Sequence, residues 1–370
     1  MPVYLSPGVY KQDIFPAQPV ELPTGVPAFL GYTSRPASRN TPFALSLWHE
    51  FEASFGGPVR GGHLYHAVRG FFENGGKRCF VVALDEGVPA VVALRAGLAA
   101  LEPLDEPDLI AAPDIMRRRM PGDLPPDPVE TAAMQADVIA HCERRNDRFA
   151  ILDALPAGDV RTQRARLRSS NAALYYPWLR VAGSWAPPSG HVAGVYARSD
   201  AGSGVHRAPA NEELNGVLDV EVSITRAAQD ALNPLGVNCI RALPGRGIRI
   251  WGARTLSSDP AWTYVGTRRL FLSVMRWINV TMTGVAFESS DSRLWKRVTR
   301  ELTVYCTGLH ERGALFGDSP EEAFYVKCDE ETNSPELREQ GRVVTEIGLA
   351  AAKPAEFIVV RIVHEAAGAA

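Results

Sequence analysis

The chain has 370 residues, 46% of them hydrophobic and 22% charged, with a formal net charge of −3. That length and apolar content supply a full core and more than one compact lobe, and the slight negative charge excludes a global electrostatic attraction to nucleic acid or to an anionic membrane. No run reaches the roughly 20 apolar residues of a membrane-spanning helix, and the N-terminus lacks a charged-then-apolar signal pattern, so the expectation is a cytosolic protein with no direct membrane insertion.

The first stretch, Val3 to Ile14, reads as a strand: Val3, Tyr4, Leu5, Val9 and Tyr10 fit a pleated, half-buried surface better than a helix. Pro16, Pro19, Pro23 and Pro27 then punctuate what reads as an extended, weakly structured tether. A buried strand is expected at Ala28–Tyr32. A helix follows over Ser46–Phe55, with Ser46 as N-cap and Gly56-Gly57 as its stop, and a second over His63–Glu73 ends at Asn74-Gly75-Gly76. Arg78–Leu84 is a continuous apolar run suited to a buried strand. From there strands at 109–112, 149–152 and 172–176 alternate with helices at 90–101, 129–144 and 159–169. That alternation predicts an α/β fold, mixed α+β over the whole chain, around a mainly parallel sheet. The Pro-rich piece 121–128 is a surface connection.

An α/β sheet invites an enzymatic reading. Asp85, Asp114 and Asp153 fall at or just beyond strand C-termini, where open sheets bind ligands, and they are the basis for an alternative reading as a hydrolase-like enzyme. Aspartate also satisfies turns locally, and nothing converges on these three. Gly245-Arg-Gly247 lacks a third glycine, Gly76-Lys77 is followed by Arg78, and the two His-Glu pairs lack the second histidine of a zinc motif. His63 and His66 have helical spacing but no third ligand. The cysteines Cys79, Cys142, Cys239, Cys306 and Cys328 are scattered, without a C-x-x-C pair, and read as reduced, packed thiols. Neither a catalytic residue nor a cofactor nor a metal site is expected.

Past Tyr176 the character changes. His191–Arg198 reads as a helix and Ser199–Gly204 as a loop. Further on, Val265–Ile278 sets Leu270, Val274, Trp277 and Ile278 on one side, with Arg268, Arg269 and Arg276 elsewhere. Arg293–Thr307 repeats the scheme, with Leu294, Val298, Leu302 and Tyr305 against Lys296, Arg297 and Arg300. Glu321–Lys327 and Arg342–Leu349 read as strands, and the closing run from Lys353 to His364 as a last one. In that run either Phe357, Val359 and Val363, or Ile358, Val360 and Ile362, form the buried face.

A series of motifs resembles the tail sheath proteins of contractile phage tails and of bacterial contractile injection systems. It comprises Tyr4-Leu-Ser-Pro-Gly-Val-Tyr10, Gly190-His-Val-Ala-Gly194, His206-Arg-Ala-Pro-Ala-Asn211, Trp251-Gly-Ala-Arg-Thr255, Ala314-Leu-Phe-Gly317, Ala323–Cys328 and Lys353-Pro-Ala-Glu-Phe357. The compact length is similar to that of injection-system or pyocin-like sheaths. The resemblance implies a subunit that polymerises helically with copies of itself, around an inner tube protein, between a baseplate and a terminator or cap, and contracts. It also implies production in a bacterial cytoplasm, release as a phage-like particle, and no nucleic-acid partner. The expected organisation is an N-terminal arm (1–22), an α/β outer domain (23–190), a sheath core (191–352) and a C-terminal arm (353–370), both arms being exchanged between subunits. One of the two basic helices is expected to contact the tube, the sequence leaving open which.

Overall fold

The computed structural model of the protein describes residues 22–35, 38–117, 124–156, 159–351 and 356–365. The arm residues Val3, Tyr4, Leu5, Val9 and Tyr10 lie outside the described residues. In chain order, β1 (Pro27–Gly31) and β2 (Pro42–Leu45) precede α1 (Trp48–Phe55), α2 (Leu64–Glu73) and β3 (Cys79–Ala83). The alternation continues through α3 (Ala90–Ala100), β4 (Leu109–Ala111), α4 (Pro128–Arg145), β5 (Phe149–Asp153), α5 (Val160–Ala165) and β6 (Ala172–Tyr176). Next come β7 (Leu179–Val181), β8 (Ser184–Ala186), α6 (Ser189–Ser203), β9 (Asp219–Val220), α7 (Arg226–Leu232), β10 (Val237–Leu243) and β11 (Gly247–Ile250). The C-terminal lobe is α8 (Val265–Thr281), α9 (Ser292–Glu311), α10 (Pro320–Ala323), β12 (Phe324–Lys327), α11 (Pro335–Glu339), β13 (Arg342–Leu349) and β14 (Ile358–Glu365).

Among the described residues, an eight-stranded sheet runs β11-β10-β6-β5-β4-β1-β3-β2. Its six inner strands are parallel, and β2 and β11 close the edges antiparallel. Strands β1, β3, β4, β5 and β6 are buried along their whole length, as helices on both faces require. The period of two sends Leu30, Val82, Ile110, Leu152 and Leu174 into a core with α3 and α4. Phe29, Val81, Ala111, Ile151 and Tyr175 enter the opposite core, with α1, α2 and α6. A third core gathers α8, α9 and the sheet β12-β13-β14.

Several expectations need correction. Ser46 is not the cap of α1: the N-cap is Leu47, and the Glu50 carboxylate accepts the amides of Ser46 and Leu47. The helix expected to end at Arg198 runs to Ser203 and stops at Gly204, whose φ of 87° suits glycine. Small and polar residues made 199–204 look like a loop, but Asp200 faces inward onto Arg269 and tertiary pairing carries the helix on. The domain limit expected at 190/191 falls inside α6, and β10 and β11 extend the same sheet to Ile250. The segment Pro23–Val26, expected to be a loose tether, is held by buried charges described below.

Candidate assembly surfaces

The strand-end aspartates are spent inside the fold. Asp114 accepts the Tyr32 amide at 2.6 Å, the Leu64 amide at 3.2 Å and the His63 amide, so it covers the exposed start of α2. Burial pushes its pKa up against those hydrogen bonds. Asp153 accepts the amide of Ser189, the first residue of α6, at 2.8 Å, and burial raises its pKa to about 7. Asp85 pairs with Arg39 and closes a turn onto the Gly87 amide at 2.8 Å. Aspartate is thus used after these strands to start the next element. His63 lies edge-on to Trp178 and meets the Met116 carbonyl at 3.2 Å, and no cluster of three or more metal-ligating side chains occurs among the described residues. All five cysteines are free and buried, and burial raises the pKa of Cys239 and Cys306 to about 12, which suppresses the reactive thiolate.

The two basic helices separate clearly. Arg269 and Arg276 of α8 are 2% and 3% exposed, so they do not face a partner. Arg269 bridges Asp200 and Asp108 at 2.6–2.9 Å and lies over the Tyr196 ring. Burial opposes its charge, but the two carboxylates hold its pKa above the ordinary value. Arg276 donates to the carbonyls of Pro23, Asp105 and Glu106. Arg268 bonds Asn171 and Asn146 and stacks on Trp262. The expectation that α8 is a candidate tube-contact helix through Arg268, Arg269 and Arg276 does not suit Arg269 and Arg276, because α8 packs between the α/β body and the rest of the C-terminal lobe. No signal in the sequence pointed to Asp108 or Asp200, which lie far from Arg269 along the chain.

Helix α9 keeps its polar face. Asp291 caps it by accepting the Arg293 and Leu294 amides at 2.9 Å. Leu294, Trp295, Val298, Leu302, Cys306 and Leu309 are buried, and the Trp277 and Tyr305 rings stack 4.2 Å apart between α8 and α9. Arg293, Lys296 and Arg300 are exposed one turn apart, while Arg297 pairs with Glu288 and, more loosely, with Glu301. The result is a basic stripe on the first half of α9.

The last strand lies against its own chain. β14 pairs antiparallel with β13 over eight residue pairs, from Arg342–Glu365 to Leu349–Ile358. Ile362 is buried and Ile358 and Val360 pack on the third core, whereas Val359 and Val363 are 47% and 53% exposed. The inward face is therefore Ile358, Val360 and Ile362, and Phe357 meets Tyr325 edge-on at 5.3 Å. The expectation that this run leaves its own core is not what the single chain adopts, since β13, the strand just before it in sequence, offers an edge in matching register. The outer edges of β12 and β14 carry no further strand among the described residues. Among the described residues, the sheet thus presents open edges and α9 an exposed basic face, both of which can pair with a partner.

Comparison with known proteins agrees. The family model described as phage tail sheath protein central domain matches residues 95–256, and that described as phage tail sheath C-terminal domain matches residues 257–365. The chain belongs to the phage tail sheath family. The putative prophage major tail sheath protein of Pseudomonas aeruginosa (strain UCBPP-PA14) is 30% identical over 175 residues, 46% of this chain and 44% of that protein. The tail sheath protein of Vibrio phage KVP40 is 27% identical over 183 residues, 48% of this chain and 26% of its own length. The matched stretches thus span less than half of these curated relatives. Among solved structures, the helical sheath of the anti-feeding prophage in its contracted state is 31% identical, with a TM-score of 0.77 and 97% and 99% of the two chains covered. The sheath complex of PVC, an extracellular contractile injection system, also contracted, is 28% identical, with a TM-score of 0.76 and 98% of each chain covered.

Proposed function

We propose that this chain is the structural subunit of a contractile sheath, polymerising helically around an inner tube and contracting to drive that tube through a target envelope. The observation that carries the proposal is the likeness to the contracted anti-feeding prophage sheath over 97% of this chain and 99% of that one. Near-complete coverage of both chains favours an injection-system sheath. Baseplate association, a terminator or cap partner, assembly in the bacterial cytoplasm and release as a tail-like particle belong to the same reading. A hydrolase built on Asp85, Asp114 and Asp153 is set aside, because Asp114 and Asp153 are buried acceptors for helix-starting amides.

Within the sheath, Lys296 and Arg300 of α9, with Arg293, form the tube-facing stripe, and Arg297 steadies the helix through Glu288. A contact of exposed charge is screened within about 8 Å at physiological ionic strength, which suits an attachment that must release. The strand arms are exchanged between subunits: β14 gives up its place on its own β13 and takes the same place on a neighbour, as in domain swapping. The residues Val3, Tyr4, Leu5, Val9 and Tyr10 supply the reciprocal arm by adding to a sheet edge. Negative-stain microscopy of the purified protein tests the function directly. Sheath-like tubes are expected, and a preparation holding only small discrete oligomers under all assembly conditions overturns it. Deleting Met1–Ile14 is expected to give folded protein without tubes, and deleting Phe357–Ala370, which also uncovers part of the third core, to give no tubes; tubes of normal length from either deletion refute the exchange.

A further inference from the structure

Immediately after the proposed N-terminal arm, three residues of the segment Pro23–Val26 are tied to buried charged groups. Arg276 Nη1 donates to the Pro23 carbonyl at 3.0 Å. The amides of Gly25 and Val26 donate to the Asp108 carboxylate at 3.0 and 2.7 Å. Arg269 then joins Asp108 to Asp200. Gly25 has a φ of 71°, and a Cβ there would stand 2.5 Å from the Ala197 Cα of α6, so the chain is pressed onto that helix where only glycine fits.

These groups come from different parts of the fold. Asp108 precedes β4 in the α/β body, Asp200 belongs to α6, and Arg269 and Arg276 belong to α8 of the C-terminal lobe. Arg276 also holds the carbonyls of Asp105 and Glu106 just before β4. A short strap of chain is thus gripped from both lobes at once, within a buried network in which Arg269 is ion-paired with Asp108 and Asp200 and Arg276 is held by backbone carbonyls. Breaking one member leaves others unpaired, which is what makes such a knot costly to open.

From this geometry we infer that Pro23–Val26 is the fixed root of the N-terminal arm, a clamp that passes a pull on the arm to both lobes instead of letting the strap peel away. Any hinge of the arm then lies before Leu22, which itself packs on the third core. The clamp rests on the geometry alone, while its role in bearing tension rests on the proposed strand exchange.

Hydrogen exchange on the full-length chain tests the clamp. The Gly25 and Val26 amides are expected to exchange as slowly as Leu30 in the buried strand β1. In Asp108→Asn or Arg276→Lys they are expected to exchange about 10- to 100-fold faster than in the unaltered chain, relative to Leu30, the range for losing a hydrogen bond to a charged group. Arg276→Lys decides alone if Asp108→Asn does not fold. Fast exchange in the unaltered chain, or unchanged protection in the folded variants, overturns the clamp. Tubes of a variant with the faster exchange are expected to break into short pieces on contraction. Contracted tubes of normal length from that variant overturn the force-transmitting role. Deletion of Met1–Ile14 reports separately on exchange: normal tubes from that deletion sink the arm reading while the exchange rates at Gly25 and Val26 still stand.

Discussion

The substitution Asp153→Asn isolates a single buried carboxyl whose proton couples to folding. Asp153 is 3% exposed, accepts the Ser189 amide, and has no cation acting on it among the described residues. Burial raises its pKa from 3.8 to about 7. A raised carboxyl pKa means that the folded chain holds the proton more tightly than the unfolded chain. The associated stability is complete below 3.8, falls as the pH rises towards 7, and is gone above it. That gap corresponds to about 4 kcal/mol. His191 works in the opposite sense over much of the same range: burial lowers its pKa from 6.5 to about 4, so about 3 kcal/mol of stability is lost as the pH falls through that interval. The two slopes partly cancel in the unaltered chain, which hides each of them. The Asp153→Asn side chain keeps the shape and the acceptor for Ser189 but removes the titration. Urea unfolding of both proteins from about pH 4.5 to about pH 8 measures the difference. The stability of the variant relative to the unaltered chain is expected to rise steadily with pH and level off near 7. A difference that stays constant across the series refutes the assignment.

Gly194→Ala places a methyl group 2.5 Å from the Phe71 carbonyl where α6 crosses α2, and a loss of about 1–3 kcal/mol in unfolding free energy is expected from the overpacking. Arg269→Ala strands Asp108 and Asp200 as buried carboxylates and is expected to cost about 3–5 kcal/mol, read as a fall in the thermal midpoint of the dilute chain. The double change Lys296→Glu and Arg300→Glu, at exposed positions that leave the Arg297–Glu288 pair intact, is expected to leave the unfolding free energy within about 0.5 kcal/mol of the unaltered chain while abolishing sheath formation on the tube; unchanged co-sedimentation with tubes counts against the α9 stripe.

The α/β body was legible because its strands are short, continuous apolar runs and its helices are periodic, so β1, β3, β4, β5 and β6 fall where 28–32, 78–84, 109–112, 149–152 and 172–176 were expected. Edge elements were not. β2, with its exposed Phe43, and β11, with its half-polar pattern, look like loops until a neighbour supplies the ladder. The motif Gly190-His-Val-Ala-Gly194 was visible as a signature but not as a cause. Its glycines let α6 approach α2 so closely that a Cβ at Gly190 would lie 2.2 Å from the Ala67 carbonyl. Helical amphipathicity also failed for a definite reason. It treats every arginine as solvent-facing, and α8 buries two of its three against carboxylates and carbonyls that only the tertiary fold brings near. On α9 the same rule succeeds because Arg293, Lys296 and Arg300 meet solvent instead of a packed neighbour.

The position of β14 on its own chain bears on how assembly would be controlled. In the closed form the eight pairs with β13 and the inward Ile358, Val360 and Ile362 are already satisfied. Moving the strand to an identical β13 on a neighbour exchanges those interactions for the same set, so the net change comes from the connection between the two strands and from new contacts between bodies. Each backbone hydrogen bond contributes only about 0.5–1.5 kcal/mol, but all of those in the strand must break before the partner reforms them. If β14 is exchanged as proposed, a free subunit is protected from pairing with the wrong edge and opening β14 is the slow step. Growth on a template that already presents an empty β13 edge avoids a second such opening at each addition. On that reading addition to a growing end would be faster than pairing of two closed subunits in solution, and polymerisation would be confined to a nucleated site.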